Sequence, residues 1–272
     1  IRYCLLSRGL GDVYKRQVLK TCYNNFGGIM SIKIRDLNIN YIQYGSGKDI
    51  VLLHGWGQNI AMMQPLAKEF PNHRITIIDF PGFGQSDDLK VAWSIEDYEE
   101  CVAEFLEQVN VKKPILIGHS FGGRVAIIYA SRHEVEKLVL FGSPCVREQK
   151  TSPKEKLFKT IKKLPGMKKI GEFAKNYIGS EDYKKASPIL RESFVKIVNQ
   201  DLSEYAKNIT CPTLLIWGTN DEAAPIEDAR KLEKLLKDGA LIELEGYTHY
   251  AYLEALPRVV SILNEFFKEV KS

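Results

Sequence analysis

The chain has 272 residues, of which 44% are hydrophobic and 26% charged, and its formal net charge is +4. A chain of this size can bury a large core as one domain with room for an insertion. No apolar stretch approaches the roughly 20 residues that a transmembrane helix needs, which argues against a membrane partner.

The first 29 residues differ in character from the rest. The segment Gly11–Gln17 resembles the in-frame translation of a sequencing adapter, and Gly27-Gly28-Ile29 before Met30 resembles a ribosome-binding site read through as codons. The segment lacks the apolar core and cleavage site of a secretory signal. We therefore expect residues 1–29 to be a non-native leader and Met30 to be the natural start.

This leader carries the whole net charge of the chain. Its basic residues outnumber its one acidic residue by four: Arg2, Arg8, Lys15, Arg16 and Lys20 stand against Asp12. Residues 30–272 are formally neutral, which gives no support for a nucleic-acid partner. Their three cysteines, Cys101, Cys145 and Cys211, form no CxxC motif and predict buried thiols in a reducing cytoplasm.

Short apolar runs alternate with helical patterns along the body of the chain, which predicts a parallel sheet with helices on both faces. The predicted strands are residues 31–44, as a hairpin turning at Asp36-Leu37-Asn38, then 50–53, 75–78, 115–117, 138–141, 214–217 and 241–244. The predicted helices are 60–70, 94–109, 123–130, 226–236 and 258–270. Ser94, with Asp97 three residues on, is typical of a helix N-cap.

Residues 145–211 interrupt this alternation. They are rich in lysine and contain no strand-like run, and one helical face carries apolar residues behind an N-cap serine and a proline: Ser187, Pro188, Leu190, Phe194, Ile197 and Val198. Helices inserted there would cover the edge of the sheet where ligands bind in such folds. We predict a helical cap over a core made of residues 30–144 and 212–272.

The motif Gly118-His119-Ser120-Phe121-Gly122 lies between a predicted strand and a predicted helix. So tight a turn requires small flanking residues, and it forces the serine into a strained conformation that exposes its hydroxyl. The hydroxyl then lies near the helix N-terminus, where a developing negative charge is stabilised. We interpret Ser120 as a catalytic nucleophile.

A serine nucleophile needs a base and a group that holds the base. Asp221 and His249 each follow a predicted strand, so both are expected at the same sheet edge as Ser120. Glu222 and Asp228 compete with Asp221 for the acidic role, although Asp228 is predicted to lie inside a helix. His54 and His119 flank tight turns and are interpreted mainly as structural residues.

Acyl transfer also needs two donors for the oxyanion of the tetrahedral intermediate. The first expected donor is the backbone N–H of Phe121, directly after the nucleophile. The second is the backbone N–H of Trp56, because Gly55 and Gly57 let that loop turn its amides inward.

These motifs resemble those of the α/β-hydrolase superfamily, in the branch with a helical cap, over essentially all of residues 30–272. The residues that carry the resemblance are His54–Gly57, Asp79–Asp87, Gly118–Gly123, Trp217–Asp221 and His249–Glu254. The order serine, aspartate, histidine is that of the family's triad. The resemblance implies an eight-stranded, mostly parallel sheet, a structural role for Asp79–Asp87, and hydrolysis through an acyl-enzyme with no cofactor and no metal.

The motif around Ser120 also argues against several branches of the superfamily. Serine at position 120 argues against the dehalogenase and epoxide-hydrolase branches, which have aspartate there. The absence of a Gly-Gly-Ser-Trp-Gly motif weakens an assignment as a proline iminopeptidase.

Two features of the substrate site remain open from the sequence. Residues 150–175 contain nine lysines, which form either a solvated helix face or a basic rim that attracts anionic acyl substrates. Trp56, Phe121, Phe141 and Tyr250 are adjacent in sequence to the predicted catalytic groups, and they line an acyl pocket or belong to the core.

The sequence therefore predicts a serine hydrolase that cleaves carboxylic esters of small to medium size. Cleavage of a carbon–carbon bond or a lactone by the same triad is an alternative, and a ligand-binding protein on a hydrolase scaffold is an alternative of another class. The expected partner is a small-molecule acyl substrate. The sequence does not determine the oligomeric state.

Overall fold

A computed structural model of the protein describes residues 28–146 and 186–268. All but the last two residues of the predicted leader lie outside these ranges, as does the lysine-rich segment 150–175. The described part of the predicted cap is residues 186–211.

The described residues form one eight-stranded sheet in the order β1-β2-β4-β3-β5-β6-β7-β8. The strands are β1 Met30–Ile34, β2 Leu37–Tyr44, β3 Asp49–Leu53, β4 Arg74–Ile78, β5 Ile115–His119, β6 Lys137–Phe141, β7 Thr213–Gly218 and β8 Gly239–Leu244. The pairings of β2 with β1 and with β4 are antiparallel, and all others are parallel. The predicted α/β fold with an eight-stranded, mostly parallel sheet is confirmed.

The opening hairpin turns earlier than predicted. Its two-residue turn is Arg35-Asp36, with Arg35 at a φ of 53°, whereas the predicted turn was Asp36-Leu37-Asn38. Leu37 instead begins β2 and pairs with Ile34. Both of these side chains are buried, and burial of Leu37 against the core explains why it belongs to the strand.

Helices follow most of the parallel strands. Their bounds are α1 Ile60–Ala67, α2 Ile95–Gln108, α3 Phe121–Arg132, α4 Pro188–Val198, α5 Ser203–Asn208, α6 Ile226–Glu233, α7 Ala251–Glu254 and α8 Leu256–Phe267. Ser94 and Asp97 form the predicted capping box of α2. Ser187 caps α4, with Pro188 at its first position. The short helix α7 was not predicted, because four residues are too few to show a helical period.

The alternation of side chains along the central strands builds a core on each face of the sheet. Val51 and Leu53 of β3 belong to the cluster that packs under α2 and α3. Ile50 and Leu52 belong to the cluster that packs under α1 and α8.

This topology brings several loops to one edge of the sheet. Because the parallel strands run in the same direction, the residues that follow β3, β5, β6, β7 and β8 all emerge at their carboxyl ends. Ser120, Asp221 and His249 follow β5, β7 and β8, respectively. Ligands bind at this edge in open α/β sheets.

Within residues 28–146 and 186–268, no helix is long and apolar enough to cross a membrane. Cys101, Cys145 and Cys211 are buried and free, as the sequence predicts for the thiols.

Candidate active site

Ser120 adopts a strained backbone conformation, with φ 53° and ψ −113°, between the end of β5 and the start of α3. A Cβ on Gly118 would lie 2.5 Å from the Cα of Gly123, so the turn can close only with glycine there. Added Cβ atoms on Gly122 and Gly123 would collide with the backbone of Leu53 and the side chain of Ser143, respectively. The strain and the crowding are those of a nucleophile turn.

His249 and Asp221 form a hydrogen-bonded pair. The distance from His249 Nδ1 to Asp221 Oδ2 is 2.8 Å, and both side chains are buried. The other carboxylate oxygen, Oδ1, accepts the backbone N–H groups of Ala223 and Ala224 at 2.9 and 2.8 Å. These bonds fix the carboxylate, which in turn orients the imidazole.

The second ring nitrogen of His249, Nε2, differs from Nδ1 in its hydrogen bonding. His249 Nε2 is buried and has no hydrogen-bond partner among the described residues. No bond to the hydroxyl of Ser120 is formed in this structure, and such bonds are often long before substrate binds.

The acidic residue that His249 Nδ1 contacts is Asp221, not either of the two competing residues. Glu222 is exposed, and Asp228 lies in the first turn of α6, as predicted. The geometry therefore favours Asp221 as the partner of the histidine.

The loop that carries His249 is tied to the loop after β7. The N–H of Asn220 donates to the carbonyl of Tyr247 at 2.9 Å, and the N–H of Gly246 donates to Thr219 Oγ1 at 2.8 Å. On the other side, Glu254 accepts both the N–H and the hydroxyl of Thr248.

His119, next to the nucleophile, also contacts this loop. Its Nε2–H donates to the backbone carbonyl of His249 at 3.0 Å, and its ring lies 4.7 Å from that of His249 between centroids. Burial holds the pKa of His119 well below its ordinary value. The ring is therefore neutral and adds no charge to the site.

Sequence reasoning missed Gly142, which follows β6. Its φ is +50°, and an added Cβ would lie 2.9 Å from His249 Nδ1 and 3.0 Å from Asp221 Oδ2. Glycine thus leaves the space that the acid–base pair occupies. A glycine directly after a predicted strand, at the edge that carries the catalytic candidates, was the available signal.

The loop after β3 contains the second expected oxyanion donor. Gly57 has a φ of 72°, and the N–H of Gly55 donates to Gln58 Oε1 at 3.0 Å. Among the described residues, no hydrogen bond occupies the backbone N–H of Trp56 or Phe121. Both groups therefore keep their donors available.

His54 stabilises this loop. Its Nδ1–H donates to the carbonyl of Gly55 at 2.7 Å, and its Nε2 accepts the N–H of Phe80 at 3.1 Å. These partners define a neutral tautomer, and burial lowers the pKa of the ring. The two backbone partners indicate the structural role expected of His54.

The segment Asp79–Asp87 has the structural role that the resemblance implies. The buried carboxylate of Asp79 accepts bonds from Asn40 Nδ2 and from the N–H groups of Ile60 and Gln85, at 2.7 to 2.8 Å. It therefore connects β2, the start of α1 and the loop after β4.

A small apolar pocket adjoins Ser120. It is lined by residues of the sheet edge and of α4: Trp56, Ser120, Phe121, Arg124, Pro144, Phe194, Ile197 and Val198. Of the four predicted substrate-binding residues, Trp56 and Phe121 line this pocket. Phe141 lies in the core, with its ring 5.2 Å from that of Tyr252, and Tyr250 lies beside His249, with ring centroids 5.6 Å apart.

Helix α4 packs over the pocket and contacts the core at several points. The ring of Phe194 lies 5.2 Å from that of Trp56. The N–H of Trp93 donates to Ser193 Oγ at 2.9 Å. Gly82, at a φ of +84°, leaves room for the side chain of Leu190, which an added Cβ would meet at 2.7 Å.

The described ranges contain no group of three or more histidine, cysteine, aspartate or glutamate residues placed to hold a metal ion.

Comparison with known protein families identifies the class. A family model described as alpha/beta hydrolase fold matches residues 49–165, and one described as TAP-like protein matches residues 195–271. The chain belongs to the α/β-hydrolase superfamily, as the motifs predicted.

Individual relatives are similar along most of their length. The chain is 27% identical to the AB hydrolase superfamily protein YisY of Bacillus subtilis, covering 82% of this chain and 92% of the relative. It is 26% identical to a pimeloyl-[acyl-carrier protein] methyl ester esterase of Aliivibrio fischeri (83% and 95%). It is 23% identical to a 2-hydroxy-6-oxo-2,4-heptadienoate hydrolase of Pseudomonas putida (85% and 92%).

Among solved structures, a bacterial membrane phospholipase A superposes with a TM-score of 0.75 at 23% identity, covering 93% of this chain and 90% of that one. This likeness shows a shared fold.

Proposed function

We propose that the protein hydrolyses carboxylic esters of small to medium size through an acyl-enzyme intermediate. Ser120 is the nucleophile, His249 the base, and Asp221 the residue that orients the base. The observation that carries the proposal is the buried 2.8 Å hydrogen bond between His249 and Asp221 at the sheet edge where the strained Ser120 lies. A carboxylate on Nδ1 holds the proton there, so that Nε2 presents its lone pair as a base.

The proposed reaction has two halves. His249 Nε2 takes the proton of Ser120 as Oγ attacks the ester carbonyl, and it then gives that proton to the departing alcohol oxygen as the carbon–oxygen bond breaks. In the second half, His249 takes a proton from water as the water attacks the acyl carbonyl. It then gives the proton to Ser120 Oγ as the carboxylic acid leaves. The backbone N–H groups of Trp56 and Phe121 bind the oxyanion in both halves.

The apolar lining of the pocket beside Ser120 favours an apolar acyl group. The esterase among the relatives also supports ester hydrolysis. Cleavage of a carbon–carbon bond is the second candidate. The relative from Pseudomonas putida is named as a hydrolase of 2-hydroxy-6-oxo-2,4-heptadienoate, and this keto acid contains no ester bond.

We also propose that residues 145–211 act as the cap of the site. The contacts of α4 with Trp56, Trp93 and Gly82 support this assignment for its described part. The buried free cysteines accord with a reducing cytoplasm as the place of action.

Labelling with a fluorophosphonate probe tests the nucleophile, and hydrolysis of p-nitrophenyl esters tests the reaction. We expect fast labelling at Ser120, located by peptide mass spectrometry, together with rapid ester turnover. Fast labelling without ester turnover, but with cleavage of 2-hydroxy-6-oxo-2,4-heptadienoate, would favour the second candidate. Labelling no faster than that of a surface serine would instead indicate a ligand-binding protein.

A further inference from the structure

Arg124 lies one helical turn beyond Ser120 on α3, and only 3% of the residue is exposed. Its guanidinium donates to three backbone carbonyl groups. The distances are 2.6 Å from Nη1 to Pro144 O, 2.9 Å from Nη2 to Ile197 O and 2.7 Å from Nη2 to Gln200 O.

These carbonyl groups lie just before the predicted cap and around the end of α4 within it. Pro144 is the last core residue before residues 145–211, Ile197 lies in the last turn of α4, and Gln200 follows its C-cap residue Asn199. The last carbonyl groups of a helix lack partners within the helix, and a cation there is favourable. Arg124 thus adds a donor to the carbonyl of Ile197, which also accepts the N–H of Gln200, and it joins the end of α4 to the helix that begins after Ser120.

The same part of α4 forms a wall of the pocket beside Ser120. Phe194, Ile197 and Val198 line that wall. Ile197 has both functions, since its carbonyl binds Arg124 and its side chain lines the pocket. The guanidinium therefore connects this wall to the helix that follows Ser120.

We propose that Arg124 is a positioning residue that sets the size of the acyl group that the enzyme accepts. It does so by holding α4 at a fixed distance from Ser120. The proposal rests on the proposed acyl-enzyme chemistry and adds a determinant of its specificity.

Arginine suits this role because its planar fork reaches several acceptors at once. Lysine at this position keeps the charge but presents it as a single point. Methionine keeps much of the volume and removes every donor. Without these donors, the carbonyl groups of Pro144, Ile197 and Gln200 each lose a hydrogen bond, and we expect the end of α4 to move outward towards water, which would widen the pocket.

The test compares kcat/KM for p-nitrophenyl esters from acetate to decanoate. The variants are Arg124→Lys, Arg124→Met, Phe194→Ala as a direct enlargement of the wall, and Arg74→Gln as the matched control. Arg74, like Arg124, donates to a backbone carbonyl, that of Asn110, and it also binds the carboxylate of Asp49. It lies at the amino ends of the strands, away from the pocket. Thermal unfolding of each variant measures its stability.

We expect the ratio of kcat/KM for decanoate to that for butyrate to rise about tenfold in Arg124→Met, since one methylene in an apolar pocket discriminates 10- to 200-fold. Phe194→Ala should shift the ratio in the same direction, Arg124→Lys by less, and Arg74→Gln not at all. If Arg124→Met does not fold, Arg124→Lys carries the test at a smaller expected shift.

An equal loss for every ester in the Arg124 variants, with the ratio shifted only in Phe194→Ala, would overturn this role for Arg124. An unchanged ratio in Phe194→Ala and in the Arg124 variants would also overturn this role, because the wall would then not contact the acyl group. A parent enzyme that hydrolyses no ester would overturn both proposals, whereas an active parent with unresponsive variants overturns only this one.

Discussion

The turn at Ser120, the proposed nucleophile, and the proposed acid–base pair of Asp221 and His249 lie at the same sheet edge, but different contacts hold them. The turn is closed in part by its own residues, because a Cβ on Gly118 would meet the Cα of Gly123, and in part by neighbouring loops, because Gly122 and Gly123 face Leu53 and Ser143. The pair joins residues 28 positions apart, and its surroundings come from distant segments such as His119 and Gly142. The strained backbone of the serine is thus set partly within its own turn, whereas the placement of the base depends entirely on tertiary contacts.

The largest expected effect comes from removing the nucleophile. We expect Ser120→Ala to lower ester turnover by on the order of a millionfold, because the three residues act as one unit. Circular dichroism should show an unchanged fold. Ser143→Ala is the control, since this buried serine also lies at the sheet edge and bonds only to backbone carbonyl groups in the described structure. Activity of Ser120→Ala within tenfold of the parent would contradict the assignment.

Replacement of Asp221, the proposed acidic partner of His249, should have the second-largest effect on turnover. We expect Asp221→Asn to cost about three to four powers of ten in kcat, since the amide no longer holds the productive tautomer or stabilises the charged imidazole. Glu222→Gln, one residue on and exposed, should have little effect. The reverse order of the two effects in steady-state kinetics would make Glu222 the acid.

A matched pair of glycine variants separates backbone strain from displacement of the base. Gly142 and Gly246 both have positive φ, but an added Cβ meets His249 only at Gly142 and nothing within 4 Å at Gly246. Left-handed backbone costs each alanine about 1–2 kcal/mol. We therefore expect both to lower the melting temperature.

Only Gly142→Ala should also lose turnover, by about a hundredfold, as misplacement by about 1 Å can cost that much. Equal kcat values for the two variants would show that catalysis does not need the space that Gly142 leaves beside His249 and Asp221.

The smallest expected effect concerns the link between the turn and the histidine loop. We expect His119→Phe, which keeps a ring but loses the donor to the carbonyl of His249, to lower kcat about tenfold, or about 1.4 kcal/mol. KM should change little. His119→Gln retains a donor and should recover part of the loss.

The pH dependence checks this interpretation. Because the pKa of His119 lies well below its ordinary value, the residue stays neutral through the working range, and a neutral amide changes no charge. The pH profile of kcat/KM should therefore be the same in His119→Gln and the parent. A shifted acidic limb would mean that His119 titrates with the site.

The sequence by itself determined the fold class and the places of the candidate catalytic groups. Apolar runs and their alternation depend on neighbours a few residues apart, and they predicted the strands and most helices. The glycines around Ser120 likewise indicated a tight turn, and Gly118 closes that turn against Gly123 within one short segment. The capping box at Ser94 is equally local.

Only the tertiary structure decided which side chains meet. It placed Asp221 rather than Glu222 against His249, put Phe141 in the core, and moved the first turn to Arg35-Asp36 so that Leu37 could be buried. It also brought Arg124 to the carbonyl groups of α4 across more than 70 residues of chain. Spacing along a sequence does not encode such contacts, since they depend on how whole helices and loops pack against the sheet.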